Sequence, residues 1–201
     1  MENRMKPFSE SCEQNKVPIL NALKSIFNTA QTVLEIGSGT GQHAVYFAEQ
    51  LANITWITSD QLENHDGIKE WLKDAALSNI QGPELLEVNQ NEWPVEQVDA
   101  VFSANTVHIL GWTSVQQMFA RIRHILKPKG IFCLYGPFNY NGEFTSESNA
   151  HFDHWLKQRD SVSGIRDFEA LQIIANKAGL KLLDDVEMPA NNRILVWKSV
   201  S

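Results

Sequence analysis

The segment Glu35-Ile36-Gly37-Ser38-Gly39-Thr40-Gly41 puts glycine at three alternate positions directly after an apolar run. Bare backbone of this kind lets a ligand approach the main chain, and free amides at the start of a following helix favour partial negative charge. A dinucleotide fingerprint needs G-x-G-x-x-G, and its last glycine would fall on Gln42, so a nicotinamide cofactor fits poorly. No Gly-Lys-Ser/Thr follows the turn, which argues against a phosphate-binding loop. The Glu35 carboxylate would repel a polyphosphate but suits a ligand that carries a cationic amine and a sulfonium. Asp60, 19 residues beyond Gly41, is a carboxylate able to accept hydrogen bonds from both hydroxyls of a ribose. Ser38, Gln61 and the first-turn residue His43 belong with these as ligand contacts. The competing readings are helix–sheet packing for the glycines, a solvated strand end for Glu35, a helix cap for Asp60 and a solvent-facing ring for His43.

A second group follows the fourth strand, in Ser103-Ala104-Asn105-Thr106-Val107-His108. Asn105 and His108 are expected to face the same cleft, with His108 as a general base for any acceptor that arrives protonated. The alternative for His108 is an imidazole tucked under the loop with one nitrogen satisfied. Tyr135 is read as a wall of the pocket rather than an acid. His151, Asp153 and His154 share helical spacing, but no third and fourth ligand of suitable type accompany them, so no metal site is expected. Cys133 alternates within an apolar strand and Cys12 lies in a polar arm; neither reads as a nucleophile.

These residues need elements to position them, and the sequence alternates strand and helix. A leading amphipathic helix is expected with Pro18 in its first turn and Leu20, Leu23 and Phe27 at helical spacing. Strands are expected at Thr32–Ile36, Ile54–Thr58, Glu84–Val88, Val98–Phe102 and Ile131–Tyr135. Helical stripes lie between them, at Ala44, Phe47, Ala48 and Leu51, at Ile68, Trp71, Leu72 and Ala75, and at Val115, Met118, Phe119, Ile122, Ile125 and Leu126. The last of these helices is expected to start at the capping pair Thr113 and Gln116. Residues 136–148 read as a long loop, and residues 136–164 as an excursion over the cleft holding a short helix at Phe152, Trp155 and Leu156. A helix over Asp167–Ala178 closes at Gly179. Leu180–Val186 and Arg193–Trp197 are joined too briefly for a parallel crossover and so form an antiparallel pair. The whole is an α/β, doubly wound Rossmann-like domain over residues 1–201, with a mostly parallel seven-stranded sheet, an antiparallel C-terminal hairpin and a polar arm at 1–16.

The 201 residues carry a formal net charge of -7, with Lys+Arg 17 against Asp+Glu 24, which disfavours nucleic-acid binding. No apolar run approaches the roughly 20 residues of a membrane span. The N-terminus lacks the apolar core of a secretory signal, and two cysteines are too few for a disulfide framework, so a cytoplasmic home is expected.

The ligand that combines a ribose with a cationic amine and sulfonium is S-adenosylmethionine. The Glu-x-Gly-x-Gly-x-Gly turn, the acidic end of strand 2 and the terminal hairpin together resemble a class I S-adenosylmethionine-dependent methyltransferase over about residues 30–200. More closely, Pro7-Phe8-Ser9, the stretch LEIGSGTGQHA at residues 34–44, Ser59-Asp60, Tyr135-Gly136-Pro137-Phe138 and Met188-Pro189-Ala190-Asn191-Asn192 resemble a family of small methyltransferase-like proteins of uncharacterised function. The resemblance implies the fold and the cofactor. It also directs attention to Asn89, at the expected end of strand 3, where such enzymes often place an acidic residue for the adenine amino group; an amide oxygen can accept the same bond. The expected activity is methyl transfer to a small-molecule acceptor, a peptide or protein acceptor staying open. A non-catalytic S-adenosylmethionine-binding module and a nicotinamide-dependent oxidoreductase are the alternatives.

Overall fold

The computed structural model describes residues 6–200. Seven strands form one sheet in the order β3-β2-β1-β4-β5-β9-β8. They are β1 (Thr32–Ile36), β2 (Thr55–Asp60), β3 (Ile80–Leu85), β4 (Val98–Ala104), β5 (Leu126–Gly136), β8 (Leu180–Met188) and β9 (Asn192–Ser199). The pairs from β3 through β5 are parallel, and β9 runs antiparallel to both β5 and β8. This is the expected Rossmann-like sheet with its reversed C-terminal hairpin.

Strand alternation assigns the two faces. Leu34 and Ile36 of β1, Val101 of β4, and Phe132 and Leu134 of β5 point into a core made with the stripe of α4 (Trp112–Ile125) and with α6 (Phe168–Lys177). Val33, Ala100, Phe102, Cys133 and Tyr135 point to the other side, where α1 (Glu10–Ile26) and α2 (Gln42–Gln50) supply Ile19, Leu23, Phe47 and Ala48. Phe47 lies 5.4 Å from Trp56 of β2 and 5.6 Å from Phe102 of β4, ring to ring, which fixes α2 against the two strands that flank β1 and its glycine turn. Tyr135 and the inert, buried Cys133 are therefore both on the α1–α2 face.

Several boundaries differ from expectation. α1 begins at Glu10, capped by the Ser9 hydroxyl, which accepts from Cys12 N–H at 3.4 Å, with Glu10 and Glu13 in its first turn. Pro18 thus sits inside the helix, and the expected polar arm is helical from Glu10 onward; residues 1–5 lie outside the described residues. α4 begins one residue before Thr113, with Gly111 as its N-cap, so the pair Thr113–Gln116 does not form a capping box. β3 starts before Gly82-Pro83 rather than after it. As an edge strand it tolerates a proline, with a register irregularity against β2 between Ile57 and Ser59. α3 (His65–Ala75) follows β2 as expected. The excursion after β5 contains β6 (Phe138–Asn139), paired in parallel with β7 (Arg166–Asp167), and α5 (Glu147–Arg159), so residues 136–148 are not a plain loop. No helix of the described residues is long and apolar enough to cross a membrane.

Candidate functional site

The glycine turn sits at the carboxyl end of β1, beside the point where the strand order reverses between β1 and β4. Its own amides hold it in place: the N–H groups of Gly37 and Ser38 both donate to the Ser59 carbonyl at 3.0 Å. Each glycine is required for a different reason. A Cβ on Gly37 (φ 76) would meet Thr106 Oγ1 at 2.5 Å, and one on Gly41 (φ 89) would press on Ile68 and Trp71 of α3 at 3.3 Å. Gly39 (φ 57) has nothing within 4 Å of that position, so it alone opens bare onto free space.

Asp60 ends β2 directly beneath it. Its Oδ2 accepts from Gly39 N–H at 2.6 Å, and its Oδ1 accepts from Gln61 N–H at 2.7 Å and Asn64 Nδ2 at 2.8 Å. The carboxylate is therefore oriented and buried, with acceptor capacity left beyond these three bonds. Gln61 is exposed and contributes its backbone N–H.

Glu35 corrects an expectation. It shares the inward face of Val33, is only 2% exposed, and turns away from the crevice: its Oε2 accepts from Ser38 Oγ at 2.9 Å and from Trp56 Nε1 at 3.2 Å. Burial raises its pKa from 4.5 to about 7, against the lowering effect of those two bonds. It braces the turn through Ser38, whose hydroxyl also accepts from Ser59 N–H, rather than offering a free carboxylate to a ligand amine. His43 is likewise not solvent-facing. It is stacked on Phe47 at 5.2 Å and tied to Asn15 Oδ1 at 2.6 Å, and burial lowers its pKa to about 4.

A crevice of about 680 Å³ opens beside the turn. Its floor is Gly37–Thr40 with His43, one wall is the polar side of α1, and the other is the end of β4 and β5. Asn105 lines it at φ 55, its N–H bonded to the Tyr135 carbonyl at 2.9 Å. Tyr135 lines it as a wall. α5 closes the far side with Phe152, Trp155, Leu156 and Arg159, and the hairpin turn adds Pro189 and Ala190.

His108 does not reach this crevice. It is fully buried among Phe138 and Phe152, at 5.9 and 6.4 Å between ring centres, and neither ring nitrogen has a hydrogen-bond partner. Burial, and then the positive charge of Arg166, lower its pKa to about 3. The seal over it comes from the excursion: Gly164 N–H donates to the His108 carbonyl at 2.8 Å, and Arg166 grips the carbonyls of Val107 and Leu110. In this arrangement the ring lies outside the crevice lining and is not placed to take a proton from a molecule held there. Asn89 is also displaced, because β3 ends at Leu85; it is exposed in a separate depression with Gln117, Arg121 and His124. In α5, Asp153 is buried against Lys157 and the N–H of Ile165, while His154 turns to Gln158.

Two contributors have no periodic signature. Gln42, where a dinucleotide site would have glycine, accepts from Ser9 N–H at 2.6 Å and donates to Glu13 Oε1 at 2.9 Å, fastening α1 to the turn. Asn15 reaches His43 from α1. The α5 wall was findable, since Phe152, Trp155, Leu156 and Arg159 follow the i, i+3, i+4, i+7 spacing of one helical face.

With this arrangement in view, the chain is similar in fold to several solved methyltransferases. An O-methyltransferase family protein from Burkholderia thailandensis superposes with TM-score 0.82 at 13% identity, over 92% of this chain and 56% of that one. An O-methyltransferase family 2 protein from Planctomyces limnophilus, in complex with apigenin, gives 0.82 at 13%, over 94% and 58%. Human N-acetylserotonin methyltransferase, in complex with SAM, gives 0.79 at 14%, over 96% and 53%. The α/β Rossmann-like fold is shared with these methyltransferases, and the chain spans a little over half the length of each. The family described as protein of unknown function (DUF938) matches residues 6–199, and the chain belongs to it.

Proposed function

We propose that the protein transfers a methyl group from S-adenosylmethionine to a small-molecule acceptor held in the crevice between α1 and α5. The observation that carries this reading is the Gly39–Asp60 pair: a bare, left-handed residue over open space, its N–H fastened to an oriented carboxylate at the carboxyl ends of β1 and β2. Those two features fit a nucleoside, with close main-chain approach at Gly39 and a ribose hydroxyl donating to Asp60. The solved relatives add support, one of them being named as a complex with SAM and another with apigenin.

Asn105 and Ala104, at the end of β4, would border the same ligand, with Ser38 behind the turn. S-adenosylmethionine, when bound, supplies an electrophilic methyl group on a sulfonium. The chain's own contribution is alignment and exclusion of water: Tyr135, Pro137, Phe152 and Trp155 present apolar surface around the acceptor, and His43 and His108 are both neutral near pH 7 and poor bases. The reading therefore favours acceptors that need no histidine to remove a proton.

The burial of His108 also favours a second reading, a non-catalytic S-adenosylmethionine-binding module. Gln42, locked to α1 where a third glycine would be needed, weighs against a nicotinamide cofactor. Calorimetric titration with S-adenosylmethionine and with NAD, followed by incubation with methyl-labelled donor and a metabolite extract, separates the three. Saturable binding of the first with label in a small molecule is the expected result. Absence of heat at millimolar excess overturns both S-adenosylmethionine readings, and binding without label anywhere favours the module.

A further inference from the structure

The crevice has an unusual charge balance for so acidic a protein. Of the side chains that line it among the described residues, none is an aspartate, glutamate or lysine, and Arg159 is the single permanently charged one. Arg159 ends α5, and its guanidinium lies 4.7 Å from the ring centre of Trp155. The other described arginines have partners: Arg121 bonds Asn91, Arg166 bonds three backbone carbonyls, Arg193 bonds Asp185, and Arg123 is also engaged. Among the described residues, Arg159 has neither a hydrogen-bond partner nor a carboxylate partner. The same crevice is lined by Trp155, 47% exposed, with Phe152, Tyr135 and Ile109, the last 58% exposed.

A guanidinium held over an indole by a cation–π contact can still offer its N–H donors to a carboxylate, which it matches in two-point geometry. Among the described residues, no aspartate or glutamate lines the cleft to compete for it. A dianion would call for more than one cation, and here there is one.

We propose that the acceptor is a planar, largely apolar small molecule bearing one carboxylate, seated against Tyr135, Phe152 and Trp155 with its carboxylate on Arg159. This rests on the methyl-transfer reading for the word acceptor, but the binding site itself does not. Trp155 and Phe152 supply the stacking surface, and Arg159 selects charge. The acidic remainder of the surface repels anions elsewhere, which leaves the crevice as the place where such a molecule is retained.

The test uses 4-hydroxycinnamic acid and its primary amide as probes, titrated calorimetrically into the whole protein with and without S-adenosylhomocysteine. The acid is expected to bind at least about tenfold more tightly than the amide, a charge-assisted difference that shrinks as salt is added. Arg159→Gln is expected to remove that preference and Arg159→Lys to keep part of it, while affinity for S-adenosylhomocysteine stays the same in both variants. Equal binding of acid and amide, or binding of neither, overturns the proposal. So does a matching loss of S-adenosylhomocysteine affinity in Arg159→Gln, which would assign the guanidinium to the cofactor's own carboxylate. If S-adenosylhomocysteine fails to bind while the Arg159-dependent preference persists, the methyl-transfer reading falls and the anion site stands.

Discussion

The N–H of Gly39 and the carboxylate of Asp60 meet across 2.6 Å, joining the turn after β1 to the end of β2. One hydrogen bond thus couples the only glycine of the turn that opens onto free space to the acid that would hold a ribose. With Gln61 N–H and Asn64 Nδ2 also donating, Asp60 has three partners before any ligand arrives. Asp60→Ala leaves those three donors unsatisfied and removes the ribose acceptor. Calorimetry should show S-adenosylmethionine affinity reduced by at least about tenfold, the scale of one charge-assisted hydrogen bond. Unchanged affinity would take Asp60 out of the site.

Gly37 and Gly39 separate packing from ligand approach. Gly37→Ala forces a methyl group to 2.5 Å from Thr106 Oγ1 in a left-handed conformation, so thermal unfolding should register a loss of about 2 kcal/mol or more. Gly39→Ala meets no atom and carries only the left-handed backbone cost of about 1–2 kcal/mol. Its larger effect should be on ligand binding, because the added methyl group stands where the main chain would be approached. A Gly39→Ala protein that binds S-adenosylmethionine as tightly as the wild type would remove the turn from the cofactor's path.

What could be read in advance was what periodicity encodes. The stripe of α4, the β1–glycine–α2 turn and the reversed β8–β9 pair all bury apolar side chains at spacings visible along the chain. The start of α1 was not visible because its first turns are polar on purpose: Ser11, Cys12, Gln14 and Asn15 face the crevice, so no apolar stripe marks them. The burial of Glu35 was legible, since period-two alternation puts it on the face of Val33, but its charge argued for a ligand instead. For His108 the sequence left a base and a tucked-in ring equally open, because the residues that seal it, Phe152 and Arg166, arrive from a distant excursion. Gln42 bonds to Ser9 and Glu13 only once α1 has docked.

His108 makes a prediction about stability rather than catalysis. A neutral imidazole buried with both nitrogens unpaired costs about 1–3 kcal/mol, so His108→Leu should raise stability by that order at pH 7. The acid limb should change as well. The native ring takes up its proton only at about pH 3, whereas the unfolded chain takes it up at 6.5, so stability is lost as pH falls through that window, in total about 5 kcal/mol. The variant should therefore survive further into acid in urea titrations across pH, keeping the smaller slope due to His43, which acts in the same direction. Destabilisation at pH 7, or an unchanged acid limb, would mean that the imidazole finds partners in solution.

Glu35 acts on the opposite limb. Burial holds its carboxyl protonated up to about pH 7, while in the unfolded chain it ionises at 4.5; Ser38 and Trp56 oppose the shift and the charge of Asp60 adds to it. Between those two values the native state binds the extra proton, so the stability it contributes is complete below pH 4.5 and is lost as pH rises toward 7, by about 3 kcal/mol. Glu35→Gln keeps an oxygen to accept from Ser38 Oγ and Trp56 Nε1 but has no charge to bury. It should match the wild type in acid and exceed it by about 3 kcal/mol above neutrality, flattening the alkaline side of a stability–pH curve. Because Glu35 braces the turn through Ser38 and does not face the crevice, the same variant should bind S-adenosylmethionine normally at pH 7. A large loss of affinity in a well-folded Glu35→Gln protein would show instead that the carboxylate swings out to meet the ligand's amine.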